Sequence, residues 1–261
     1  MQNNKKSFNN TDSVIIIMAG GLGKRMNSEL PKVLHNINQK PMIIHILEKS
    51  IELNVNKIII VVGKYYDIIK STIEKYIEKQ ILDSKIFFVF QKEALGTGDA
   101  IKCCTNILSK CSQYVNKVCI LSGDVPLIKI ETINNMLQNF ENSNIHCKIL
   151  ISKINDPNGY GRIIVKNENI EKIVEEKDCT IEERKINIIN SGIYSFSIPL
   201  LLAFINKIDN NNSNNEYYLT QIFELLYKNN YKINFSFLND SNEILGINTQ
   251  EQLLQLEKLV I

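Results

Sequence analysis

An α/β fold with a mostly parallel central sheet and helices on both faces is predicted by three features of the sequence. Short β-branched runs alternate with amphipathic stretches, the runs are continuously apolar, and the first of them empties into a glycine-rich turn. A strand buried on both faces has no need to alternate apolar with polar residues, and parallel strands joined by crossover helices are buried in this way.

The runs Val14 to Met18, Ile58 to Val62, Ile86 to Phe90 and Val118 to Ser122 read as strands. Between and after them, 42–53, 66–79, 98–109 and 130–140 read as helices. Ile43, Ile44, Leu47 and Ile51 share one helical face, and Ile130, Ile133, Leu137 and Phe140 share another. Past Ile151 the rhythm breaks. Gly159-Tyr160-Gly161 is a turn signal, and Arg162 to Val165 and Ile170 to Glu175 read as a hairpin or edge strands forming a small lid over the sheet. Asp209 to Asn215 reads as an exposed loop, followed by a helix from Tyr217 to Lys228, a strand from Ile233 to Leu238 and a closing helix from Gln250 to Val260. No internal repeat is visible.

Bulk properties narrow the function classes. In a chain of 261 residues, 44% hydrophobic residues suffice for a substantial core. Thirty Lys and Arg against 28 Asp and Glu leave a formal charge of +2, so there is no basic footprint for nucleic acid or an anionic membrane. The apolar runs are far shorter than the roughly 20 residues that cross a bilayer, and the polar, Asn-rich start lacks the apolar stretch of a secretion signal. Residues 1–12 are expected to be a flexible tail ahead of a single domain over 13–261. Cysteines at 103, 104, 111, 119, 147 and 179 show no C-x-x-C spacing, so reduced thiols in a cytoplasmic setting are expected. His35 and His45 have no partner at ligand spacing and read as structural.

The turn Ala19-Gly20-Gly21-Leu22-Gly23-Lys24-Arg25-Met26 can aim backbone N–H groups at phosphates, since glycine admits close approach and positive φ. It is not a P-loop, because Met18 and Arg25 stand where that motif needs Gly and Ser or Thr, and Met26 breaks a dinucleotide fingerprint. A structural glycine turn is the plain alternative. Asp124 follows an apolar run, which puts its carboxylate at the carboxyl end of a strand, where open α/β sheets bind ligands; a turn or N-cap aspartate is the alternative there.

Met18 to Arg25 followed by Leu30-Pro31-Lys32-Val33-Leu34 resembles the signature of sugar-nucleotide pyrophosphorylases, and more closely that of bacterial N-acetylglucosamine-1-phosphate uridylyltransferase domains. The same order continues through Gln91 with Leu95-Gly96-Thr97-Gly98, Gly123-Asp124-Val125-Pro126-Leu127, Gly159 to Ile163, Ile173 to Asp178, Asn190 to Ile193, Glu216 to Thr220 and Gly246-Ile247-Asn248. It covers nearly the whole chain.

The resemblance implies a Rossmann-like nucleotide-diphospho-sugar transferase fold, with a nucleotide-binding part over 13–145, a sugar-binding part over 146–248 and a C-terminal helix over 249–261. It implies uridylyl transfer from UTP to N-acetylglucosamine 1-phosphate with Mg2+ as cofactor. A relative of the same fold with another base or sugar, of the UDP-glucose or dTDP-glucose type, or a silent nucleotide-sugar-binding subunit are the alternatives. Arg25, Lys32 and Asp124 are the implied catalytic residues, and Asp124 and Asn248 the metal ligands. Met18, Ala19, Gly20, Gly21, Gly23, Gln91, Gly96 and Thr97 would hold the nucleotide, and Gly161, Glu175, Asn190, Tyr218 and Thr220 the sugar. The chain departs from the pattern at Ala94, Asp99, Ser122 and Gln221, positions that bear on base and sugar choice. The family's appended acetyltransferase repeats are not seen in this sequence, so acetyl transfer is not expected.

Overall fold

The computed structural model describes residues 7–21, 23, 28–140, 145–247, 251–253 and 256. In chain order its elements are β1 (Asn10–Met18), the short pair β2 (Asn36–Ile37) and β3 (Lys40–Pro41), α1 (Met42–Glu52), β4 (Val55–Val62), α2 (Tyr66–Tyr76) and α3 (Lys79–Lys85). Next come β5 (Ile86–Phe90), α4 (Thr97–Lys102), α5 (Thr105–Cys111), β6 (Lys117–Ser122), α6 (Ile130–Leu137) and β7 (Cys147–Lys153). The chain continues with β8 (Arg162–Lys166), β9 (Asn169–Val174), α7 (Ile181–Arg184), β10 (Ile188–Ser197), α8 (Ile198–Ile205), α9 (Gln221–Lys228) and β11 (Asn234–Leu238).

The strand order is β11-β7-β10-β6-β1-β4-β5, with β8 and β9 attached beside β10. β1 pairs parallel with both β4 and β6, β4 with β5, and β11 with β7; β10 alone in that row runs antiparallel to its neighbours. The mostly parallel sheet is thus as the apolar runs predict. Side-chain alternation in β1 explains the two helical layers. Val14 and Ile16 face a core that contains Ile101, Leu108, Leu201 and Phe223, whereas Ile15 and Ile17 face Ile43, Leu47, Ile73 and Ile133. Each such buried side chain contributes about 1.5–3 kcal/mol. β1 is therefore anchored from both sides, and its carboxyl end is fixed where the glycine turn begins.

Several expectations change. The tail is shorter than 1–12, because β1 starts at Asn10: the Asn10 amide is buried but donates to Leu53 O and Asn134 Oδ1, each at 3.1 Å, and Asp12 pairs with Lys117. Residues 1–6 lie outside those described. The helix expected over 66–79 divides at Ile77, which is extended, into α2 and α3. The one expected over 98–109 divides at Cys103 and Cys104, where Thr105 Oγ1 bonds back to Lys102 O at 2.8 Å and competes with the backbone ladder. The helix expected from Tyr217 begins at Gln221, since the Tyr217 backbone is engaged elsewhere.

β7, β10 and α8 carry no strong signal in the sequence. β10 is interrupted by Asn190, Ser191 and Gly192, where its register with β7 slips. That slip lets β10 serve two partners: Tyr194 to Ser197 pair with β6, and Ile189 pairs with Arg162 of β8. Arg162 to Val165 and Ile170 to Glu175 form the expected hairpin, β8–β9, which joins the main sheet beside β10, and α9 packs against β9. Of the closing helix, residues 251–253 are helical and Leu256 is buried against Ile37, Met42 and Ile247.

Candidate active site

Three loops leave the carboxyl ends of β1, β5 and β6, and the first residue of each is tied by a backbone hydrogen bond to the end of the neighbouring strand. Ala19 N donates to Val61 O at 2.8 Å, Gly123 N to Met18 O at 2.9 Å and Gln91 N to Val62 O at 2.7 Å. Together they wall a cleft of about 450 Å³ lined by Met18, Ala19, Gly20, Gly21, Gly23, Lys32, Gln91, Gly96, Thr97 and Asp124. Every described residue expected to hold the nucleotide is therefore on the cleft wall, and so are Lys32 and Asp124. Arg25 and Asn248 lie outside the described residues. Gly23 has φ +58°, and a Cβ there would stand 3.0 Å from Lys32 Cβ, so glycine lets the turn close against Lys32 without displacing it.

At the floor of the cleft the Lys32 ammonium is paired with Asp124 Oδ2, the side chains being 15% and 17% exposed. Ser122 Oγ donates to Asp124 Oδ1 at 2.6 Å, and Ile247 N donates to the Asp124 carbonyl at 3.3 Å. The last bond brings the segment ending at Ile247 against Asp124, and the residue that follows it is Asn248. Ser122, which departs from the family pattern, thus orients the carboxylate. No group of three or more metal-ligating side chains exists among the described residues. Magnesium needs only one or two protein oxygens, and a hard carboxylate already holding a cation fits it.

At the carboxyl end of β5, Gln91 is buried and its Nε2 donates to Gly96 O at 3.1 Å and to Asp99 Oδ2 at 2.8 Å. Gly96 itself has φ +110°, and a Cβ there would lie 2.6 Å from Tyr217 O. The backbone reason is a latch: Tyr217 N donates to Leu95 O at 2.8 Å, Gly98 N to Tyr217 O at 2.7 Å, and Leu219 N to Thr97 Oγ1 at 3.0 Å. The loop that carries Gln91 and Gly96 is thereby joined to the segment that carries Tyr218 and Thr220.

The expected sugar residues gather on the lid side of this latch rather than on the cleft wall. Thr220 Oγ1 donates to Glu175 Oε1 at 2.8 Å, and a Cβ on Gly161 would stand 3.5 Å from both Glu175 Oε2 and Asn190 Cβ. Burial pushes the Glu175 carboxyl above its ordinary range, with Asp178 and Glu216 adding to the push and the Thr220 bond opposing it. Asn190 Nδ2 donates to Tyr194 OH at 2.7 Å while its Oδ1 accepts from Gly192 N at 3.0 Å, which fixes the amide's orientation. Tyr218 OH accepts from Asn214 Nδ2 at 2.7 Å, and burial pushes its phenol up to about 12. At the start of β8, fully buried Arg162 bonds Tyr160 O and pairs with Glu176 at 2.7 Å, which holds the turn containing Gly161.

Asp99 and Ser122, noted in the sequence only as departures from the family pattern, and Glu216, noted only as the start of a resembling segment, also meet the site. Ser122 and Glu216 line the cleft, and Asp99 acts through Gln91. No periodicity could reveal Asp99, because its partner sits on another element.

The sequence profile described as nucleotidyl transferase matches residues 14–242. A protein of Acanthamoeba polyphaga mimivirus named "Probable UDP-N-acetylglucosamine pyrophosphorylase" is 41% identical over 250 residues, covering 94% of this chain and 95% of that protein. The "Bifunctional protein GlmU" of Clostridium beijerinckii is 38% identical over 245 residues, covering 94% of this chain and 51% of GlmU, so the chain spans about half the length of that relative. A Bacillus anthracis crystal structure described as "a Putative Glucose-1-Phosphate Thymidylyltransferase" in complex with sucrose superposes with a TM-score of 0.72 over 95% of this chain, at 20% identity, a likeness of fold.

Proposed function

This chain belongs to the nucleotidyl transferase family and is a nucleotidyltransferase, and on that premise we propose that it transfers a uridylyl group from UTP to N-acetylglucosamine 1-phosphate, releasing pyrophosphate. One observation carries the reading: a Lys32–Asp124 pair beneath a glycine turn, at the carboxyl ends of parallel strands, beside a cluster of hydroxyl-binding side chains.

An oxygen of the sugar phosphate attacks the α-phosphorus in line, a new P–O bond forms, and the bond from the α-phosphorus to the pyrophosphate oxygen breaks. The nucleophile is already anionic near neutral pH, so alignment and positive charge matter more than a general base. In this reading the Gly20, Gly21 and Gly23 backbone cradles the triphosphate with Met18 and Ala19 at its base. Lys32 and Arg25 neutralise the phosphate oxygens, a guanidinium gripping two at once. Gln91, Gly96 and Thr97 take the uracil, and Gly161, Glu175, Asn190, Tyr218 and Thr220 take the sugar. Asp124 and Asn248 would hold magnesium, which supplies charge that offsets the phosphates.

The 41% relative is named for the same sugar nucleotide, and the GlmU match is confined to about half of that protein. No described helix is long and apolar enough to cross a membrane, which fits the cytoplasmic setting proposed here. Pyrophosphate release should be measured across a grid of nucleoside triphosphates and sugar 1-phosphates, with and without EDTA. The proposal expects the UTP and N-acetylglucosamine 1-phosphate pair to be fastest and EDTA to abolish it. Equal rates with glucose 1-phosphate or dTTP would leave nucleotidyl transfer standing and remove the named pair.

A further inference from the structure

Gln91 has both hydrogens of its amide nitrogen committed. Nε2 lies 3.1 Å from Gly96 O and 2.8 Å from Asp99 Oδ2, and a carboxamide nitrogen carries two hydrogens for these two acceptors. An ionised carboxylate can only accept, so the amide stands with its nitrogen toward Asp99 and its oxygen away. Oε1 accordingly lies beside Gly20 on the cleft side, 3.1 Å from where a Cβ on that glycine would be. Gln91 is 6% exposed, so turning the amide over would set its oxygen against both Gly96 O and the Asp99 carboxylate.

We propose that Asp99 is a positioning residue which fixes Gln91 as a pure hydrogen-bond acceptor at the base end of the cleft. The proposal rests on the uridylyl reading above and deepens it. An acceptor at that point bonds the protonated ring nitrogen of an imide base, uracil or thymine. Cytosine offers a bare acceptor at the same ring position, so two lone pairs meet and the base is rejected. With Gly96 O as the sole opposing acceptor, turning the amide over would meet one repulsive oxygen instead of two, and the turned amide would offer an N–H to cytosine. Asp99 closes this escape. The competing role is structural: Asp99 lies in the first turn of α4, where a carboxylate favours the helix dipole.

The test measures kcat and KM for UTP, CTP and dTTP in the wild type, Asp99→Ala and Asp99→Asn, by pyrophosphate release with a fixed sugar 1-phosphate. Asp99→Ala is expected to lower the UTP-to-CTP ratio of kcat/KM by about tenfold or more, through KM more than kcat. The UTP-to-dTTP ratio should stay at its wild-type value, because thymine presents the same imide edge. Asp99→Asn keeps one acceptor oxygen for Gln91 and should recover most of the UTP-to-CTP ratio. If the alanine variant does not fold, Asp99→Ser replaces it, since a hydroxyl that can donate or accept lets the amide turn. An unchanged UTP-to-CTP ratio in a folded variant, or equal changes in both ratios, overturns the proposal and leaves Asp99 a helix residue. A wild type that forms no uridine product overturns the base assignment beneath it instead, and is visible before any variant is made.

Discussion

The Lys32 ammonium and the Asp124 carboxylate are paired at the floor of the cleft, and the second Asp124 oxygen accepts from Ser122 Oγ at 2.6 Å. Opposite charges held this far from bulk water compensate one another until a substrate arrives. A triphosphate with its metal would give each a new partner, Lys32 a phosphate and Asp124 a divalent cation. Pairing in the free protein therefore keeps both side chains aimed at the cleft at little cost.

Asp124→Asn should reduce kcat by about 10²-fold or more and weaken the dependence of rate on magnesium concentration, because a neutral amide is a poorer hard-cation ligand. A magnesium titration of initial rate in both proteins checks this. Full activity of the variant in excess EDTA would remove Asp124 from the metal site.

Lys32→Ala should lower kcat/KM by about 10²-fold, the scale of losing one charged transition-state contact. The fold should survive, because Lys32 belongs to neither layer of the core. Steady-state kinetics beside a thermal melt separate the two effects. Unchanged kinetics would leave Lys32 a partner for Asp124 and nothing more.

Gly98→Ala should be severe although Gly98 touches no reacting group in the proposed chemistry. A Cβ there would stand 2.2 Å from Ile208 Cδ1 and 2.9 Å from Tyr217 O, so the latch between the base loop and the sugar segment must open. Overpacking of this kind costs about 1–3 kcal/mol. Because the latch joins both loops, KM for the nucleotide and for the sugar 1-phosphate should rise together. A variant in which only one KM moved would show that the two loops act independently.

The parallel half of the sheet was legible because β1, β4 and β6 are buried on both faces and their sequences, like that of the edge strand β5, read as unbroken apolar runs. β10 was not, since Asn190, Ser191 and Gly192 interrupt it and only its pairing with β6 and β7 makes it a strand. The site followed the same division. Asp124 was found because it follows an apolar run, whereas Gln91 came from the family resemblance. Asp99 was visible only as a departure from the family pattern, since its bond to Gln91 exists only once α4 folds back against the end of β5. Glu216 was read only as the start of a resembling segment, and its place on the cleft wall depends on a turn held by Leu95 and Gly98.

Glu175→Gln should stabilise the free protein and weaken the enzyme. Burial holds the Glu175 carboxyl above its ordinary range, so the folded state binds its proton more tightly than the unfolded state does. Where the folded protein binds more protons, stability falls as pH rises. The penalty is absent below the ordinary carboxylate range, grows as pH climbs through the raised folded value, and is complete above it. Glutamine carries no charge and keeps an oxygen for the Thr220 hydroxyl, so the variant should melt higher by about 2 °C near neutral pH. That difference should shrink toward zero as pH is lowered to the ordinary carboxylate range. Catalysis should move the other way. Replacing an acceptor oxygen by an N–H leaves a sugar hydroxyl unpaired, and KM for the sugar 1-phosphate should rise by about tenfold while KM for UTP stays put. Paired melts from acid to neutral pH and a two-substrate kinetic grid test both halves. A variant that melts lower at neutral pH, or binds the sugar phosphate as well as the wild type, would show that Glu175 is a structural carboxylate of the lid.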